Sequence, residues 1–112
     1  MEETVKWDDS KYEIMNIIDY LDNPEKIQIP LKCPICFTYN AHVYMHRFEH
    51  DKGTIWTWCS KCKSCMHGSR MKLPHWWENS EFIDVSELTS HPVFLDSKAI
   101  LIDKHLRKLL GR

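Results

Sequence analysis

Cys33-Pro34-Ile35-Cys36 and Cys59-Ser60-Lys61-Cys62 are separated by 22 residues, and no other feature of the chain restricts its fold as much. A Cys-x-x-Cys turn aims two sulfurs at one point, and two such turns supply the ligands of a tetrahedral zinc site. A spacer of this length holds two strands and a turn, which carry the second pair back to the first. The spacing therefore predicts one four-thiolate centre, Cys33, Cys36, Cys59 and Cys62, with a single zinc ion held across a β-hairpin. Four sulfurs leave no open position for water or substrate, so the ion predicted here is structural. Cys65 extends the second pair to Cys59-x-x-Cys62-x-x-Cys65. Three readings of it stay open: a buried bystander thiol, a substitute ligand, or a redox-sensitive position.

A chain of 112 residues buries only a modest core, which a metal staple usefully supplements. Its 43% hydrophobic and 28% charged content is that of a soluble globule, and no apolar run approaches a membrane span. The odd cysteine count fits disulfides poorly. The first ten residues, MEETVKWDDS, are acidic where a secretory signal is basic and then apolar, which predicts a reducing, cytoplasmic setting. Gly53, Gly68 and Gly111 fall in no phosphate-cradling pattern. His-Glu-x-x-His and Gly-x-Ser-x-Gly are absent, and none of the seven histidines is followed two positions later by glutamate. A non-catalytic protein is expected.

The expected fold class is α+β: a small single domain, 1–112, with the zinc-ribbon hairpin between N- and C-terminal helices. Residues 1–30 form the N-terminal helix and lead-in, 31–75 the ribbon, and 76–112 the C-terminal helical segment. Ser10 and Glu13 have the form of a capping box, and Ile14, Ile17, Ile18 and Leu21 mark one buried face up to Asn23-Pro24. Residues 26–30 read as a short strand or extended entry. Residues 41–48 and 54–58 alternate as strands, with His50-Asp51-Lys52-Gly53 as the turn. Period two puts His42, Tyr44, His46, Phe48 and His50 on one face, where consecutive members of the histidine series stand about 13 Å apart, too far to share an ion. That face is expected to meet solvent or a partner. Residues 66–77 read as a basic loop ending in Trp76 and Trp77, with one ring extending the core and the other free to anchor an interface. After an irregular stretch, a helix beginning near His91 and capped by Ser90 or Ser97 carries Ala99, Ile102, Leu106 and Leu109 on one face. Ile100, Leu101 and Leu110 widen that stripe, which calls for a second contact with the N-terminal helix or a partner.

The net charge of −1 conceals a strong division. Residues 1–30 hold eight acids against three lysines, a balance of −5, whereas residues 31–75 hold seven cations against two acids, +5. Two kinds of partner follow. Lys61, Lys63, Arg70 and Lys72 are candidates to hold phosphates, with Trp56, Trp58, Trp76 or Trp77 stacking on bases. The same basic residues with Trp76 and Trp77 are equally candidates for a protein interface. A pI of about 6.6 favours the protein partner.

Over residues 33–62 the chain resembles the zinc-ribbon superfamily of the four-cysteine type, whose members bind nucleic acid, mediate protein contacts or brace a fold. The Trp58-Cys59-Ser60-Lys61-Cys62 and Pro74-His75-Trp76-Trp77 passages are also similar to small bacterial zinc-ribbon proteins of Firmicutes type. That resemblance implies a cytoplasmic inhibitor or immunity protein of a bacterial toxin.

Overall fold

The computed structural model describes residues 6–112, so Glu2 and Glu3 of the acidic segment lie outside the described residues. Three antiparallel strands in sequential order form the sheet: β1 (Ala41–Arg47), β2 (Lys52–Cys59) and β3 (Cys65–Lys72). Two helices, α1 (Val93–Ser97) and α2 (Ala99–Leu109), follow, and a 3-10 helix (Tyr12–Asp22) precedes the sheet. The α+β class expected from the sequence is the class observed.

Helices cover both faces of the sheet, and this decides what is buried. His42 pairs with Trp58 and Tyr44 with Trp56, which puts all four on the face covered by α1, α2 and the connection before them. Val43 pairs with Thr57 on the opposite face, where the Thr57 hydroxyl reaches Met15 of the 3-10 helix. Residues 41–45 of β1 and 55–59 of β2 are consequently buried without alternation. The expectation of an open histidine face is therefore corrected. His42 is 6% and Tyr44 1% exposed, His46 is half-buried, and only Phe48 and His50, beyond the covered part of the sheet, are exposed. The sheet also keeps α2 away from the 3-10 helix, so the second contact of the C-terminal helix is with β1.

β3 replaces the basic loop predicted over this stretch. It lacks β-branched residues, and its register is instead held by pairing Lys52 with Lys72 and Trp58 with Cys65. Between Gly53 and Ile55 the register shifts, with Ser69 and Arg70 facing the single residue Thr54. Arg70 absorbs this bulge at φ 55°. Gly53 is required here, since a Cβ would come within 2.0 Å of the His46 carbonyl oxygen.

The N-terminal helix buries Ile14, Ile17 and Leu21, as its periodicity predicts, but it is 3-10 over eleven residues. Isoleucine, aromatic and Asn/Asp residues dominate it, and these have low α-helical preference. Ser10 does not cap it. Its amide and hydroxyl both donate to Asp8 Oδ1, at 2.9 and 2.5 Å, because a carboxylate is the stronger acceptor. Asp8 is fixed in turn by main-chain bonds to Lys63 and Cys65. Residues 24–26 form a 3-10 turn, after which the chain reaches a bridge between Leu31 and Ala41. At the other end, neither Ser90 nor Ser97 caps a helix. Pro92 occupies the first cap position, and Ser97 donates back to the Phe94 carbonyl as α1 ends. Among the described residues, no helix is long and apolar enough to cross a membrane.

Candidate metal centre

Both Cys-x-x-Cys turns fold into the same structure. In the first, Phe37 N donates to Cys33 O at 2.9 Å and Cys33 N to Thr38 O at 2.8 Å; in the second, Lys63 N donates to Cys59 O and Cys59 N to Ser64 O, both at 3.0 Å. The residue after each second cysteine turns left-handed, Phe37 at φ 63° and Lys63 at φ 62°. These turns direct amides at the first sulfur of each pair: Ile35 N and Cys36 N lie 3.4 and 3.5 Å from Cys33 Sγ, and the amides of Lys61 and Cys62 approach Cys59 Sγ likewise. A hydroxyl follows two residues after each second cysteine, Thr38 Oγ1 at 3.1 Å from Cys36 Sγ and Ser64 Oγ at 3.3 Å from Cys62 Sγ. Amide and hydroxyl dipoles thus surround sulfurs that carry negative charge as ligands.

The four sulfurs converge. All lie within 4.8 Å of one another, with Cys33 Sγ 3.8 Å from Cys62 Sγ and Cys36 Sγ 3.7 Å from Cys59 Sγ. A tetrahedron whose centre-to-corner bonds are about 2.3 Å, the length of a zinc–thiolate bond, has edges of about 3.8 Å. A disulfide needs about 2.05 Å, and all five cysteines are free. The cluster can therefore hold a metal ion. Cys33 and Cys59 are buried, while Cys36 and Cys62 are half-buried, which places the centre at the edge of the core. Without an ion, burial raises the Cys33 thiol and pushes Cys59 up to about 12. Burial also opposes ionisation of Cys36, but the Thr38 hydroxyl and amide and the neighbouring thiols outweigh it and bring that group down to about 6. Metal binding at neutral pH must therefore displace protons.

Cys65 lies outside this cluster. It is 2% exposed on β3, its amide donates to Asp8 O, and burial together with the Asp9 and Asp8 charges pushes its thiol up to about 11. Of its three sequence readings, the buried thiol matches this placement.

Sequence reasoning missed the polar network beside the second turn. Ser60, between Cys59 and Cys62, donates to Asp96 Oδ1 at 2.5 Å, and Trp58 Nε1 donates to the same oxygen at 3.1 Å. His42 bridges the other way, with Nε2 3.0 Å from Ser60 Oγ and Nδ1 2.9 Å from Asp103 Oδ1. The serine proton is given to Asp96, so the imidazole is not placed as a base toward that hydroxyl. What the network does is tie α1 and α2 to the second cysteine turn. The only sequence signal for it is Asp103, an acid at i+1 from Ile102 on the apolar side of α2.

The other predicted site residues separate. Lys61 is exposed at the metal end, and Lys63 is half-buried there, 4.9 Å from the Trp7 ring centre and 3.9 Å from Asp96 Oδ2. Arg70 and Lys72 are exposed at the far end of β3, roughly 20 Å away at strand rise. Trp77 is 1% exposed and packs edge-on against Tyr44 and His105, whereas Trp76 is half-buried beside it. The proposed interface role of Trp77 is thus corrected: its ring is core. Trp56 and Trp58 are likewise buried, so neither is free to stack on a base.

This arrangement defines an α+β protein with a four-cysteine cluster able to hold a metal ion at one end of its central strand. No protein-family model, curated protein or solved structure matches the chain.

Proposed function

We propose that the chain is a zinc-ribbon protein in which Cys33, Cys36, Cys59 and Cys62 hold one structural zinc ion, and that it works without catalysis as a protein-binding module. The cross-turn sulfur spacings of 3.7 and 3.8 Å carry the zinc reading, since they fit a tetrahedron of thiolates around an ion of that size. Four thiolates complete its coordination, and the ion supplies cross-linking of the two turns.

Protein binding is supported by apolar side chains presented to solvent on the C-terminal helices: Ile100 is 84%, Val93 58% and Leu101 44% exposed. The nucleic-acid alternative has less support, because its four basic residues divide between two ends of β3 and its tryptophans are largely buried. Inhibition of a toxin, implied by the sequence resemblance, is one form such binding takes.

Metal analysis of the purified protein is expected to give one zinc per chain, and Cys36→Ser should lower both occupancy and affinity. Unchanged occupancy in that variant would refute the ligand assignment. Affinity capture with and without nuclease tests the binding reading: a stoichiometric protein resistant to nuclease is expected, and recovery of nucleic acid alone would favour the alternative.

A further inference from the structure

A cleft of about 650 Å³ lies between residues 78–82 and α2, on the far side of that helix from the His42–Asp103 pair. Its volume falls within the range of about 300–1,000 Å³ usual for binding clefts. Leu101, Lys104, His105 and Lys108 recur along it at i, i+3, i+4 and i+7, so they share one helical face. Phe82, 37% exposed, lines the cleft with Leu101, and its ring packs edge-on against His105. His105 is fixed as the floor by Trp77 and by a 2.7 Å bond from Nε2 to the Glu78 carbonyl.

The charge of this cleft is unbalanced. Four cations line it against Glu78 and Glu81, and none of the six takes part in an ion pair among the described residues. Arg107 and Arg112 already donate to main-chain carbonyls, of Ile29 and of Pro24, Glu25 and Ile27 respectively. Among the described residues Lys104 and Lys108 have no such partner, and they stand one turn apart in the cleft lining.

Resting on the protein-binding reading above, we propose that this cleft is the docking site and that its occupant is an acidic peptide segment carrying a bulky apolar side chain. The apolar side chain enters between Phe82 and Leu101, and the flanking carboxylates meet Lys104 and Lys108. Charge complementarity selects the acidic sequence, and the apolar walls reward a side chain that can be desolvated. A nucleic-acid backbone fits this surface less well, because two free ammonium groups offer few phosphate contacts and Glu78 and Glu81 repel a continuous run of them.

The test is an NMR titration of the zinc-loaded full chain with a glutamate–tyrosine copolymer, with polyglutamate and with oligothymidylate. The copolymer is expected to bind saturably and more tightly than either control, moving the signals of Phe82, Leu101, Lys104 and Lys108. Lys104→Glu combined with Lys108→Glu should weaken it at least about tenfold. Lys11→Glu combined with Lys52→Glu, at equal charge change but outside the cleft, should change it by less than about twofold. No saturable binding, equal binding of polyglutamate, tighter binding of oligothymidylate, or indifference to the Lys104/Lys108 reversal would each overturn the proposal. Affinity capture separates this from the broader reading: a partner retained by the Lys104/Lys108 variant removes only the cleft, whereas none recovered by either form removes the module.

Discussion

Phe37 and Lys63 hold equivalent places in the two turns, and neither is the glycine that a left-handed backbone normally favours. Such conformations cost about 1–2 kcal/mol each, which the amide–sulfur bonds of the closed turns offset. Thr38 and Ser64 show the same correspondence, and their signal was visible as a hydroxyl residue two positions after each second cysteine. That these four cysteines cluster was legible from spacing alone. The state of Cys65 was not, since Asp8 and Asp9 reach it only when the N-terminal segment bridges to Ser64. Because the folded chain raises this thiol from 9.0 to about 11, the native state retains its proton over a range where the unfolded chain has lost it. Stability should therefore fall as pH rises from about 9 through about 11. Chemical denaturation across that range is expected to show a smaller fall in Cys65→Ala, and equal falls in both proteins would contradict the assignment.

At the scale of elements, β1 and β2 were readable because alternation and β-branched or aromatic residues reinforce one another there. β3 was not, because Met66-His67-Gly68-Ser69-Arg70 has weak strand preference and acquires its form from pairing. The buried faces of β1 depend on α2, which lies more than fifty residues onward, so no local pattern in residues 41–47 could mark His42 as interior. Its bond to Asp103 makes the pair a junction between strand and helix. Asp103→Ala leaves the imidazole buried without its acceptor and is expected to cost about 1–3 kcal/mol in urea unfolding. The double replacement His42→Phe with Asp103→Leu, which removes both polar partners, should recover most of that loss. Equal instability of the two variants would show that packing volume, and not the unmet polar group, sets the cost.

Across the whole molecule, the four-cysteine cluster and the C-terminal helices are joined through Ser60, whose hydroxyl reaches Asp96 while its neighbours on both sides belong to the second turn. Lys63 and Trp58 reach the same carboxylate. Removing metal by chelation should therefore increase amide exchange in α1 and α2 as well as in the two cysteine turns, while the 3-10 helix on the opposite sheet face changes less. Exchange confined to the turns would show that the helices are held by apolar packing alone. The same network links the second cysteine turn to the proposed docking cleft, since α2 contributes Asp103 to the bond with His42 and Lys104 and Lys108 to the cleft.

By itself the sequence determined where the four clustered cysteines stand, the hairpin between them and the apolar stripes of the flanking helices, because each depends on spacing within a short stretch of chain. Tertiary structure alone decided that a third strand forms, that His42, Tyr44 and Trp77 are interior, and that the basic residues divide between two ends of β3. Those outcomes arise from layers closing over both faces of one sheet. Burial there is set by neighbours distant in sequence, for which the local pattern carries no record.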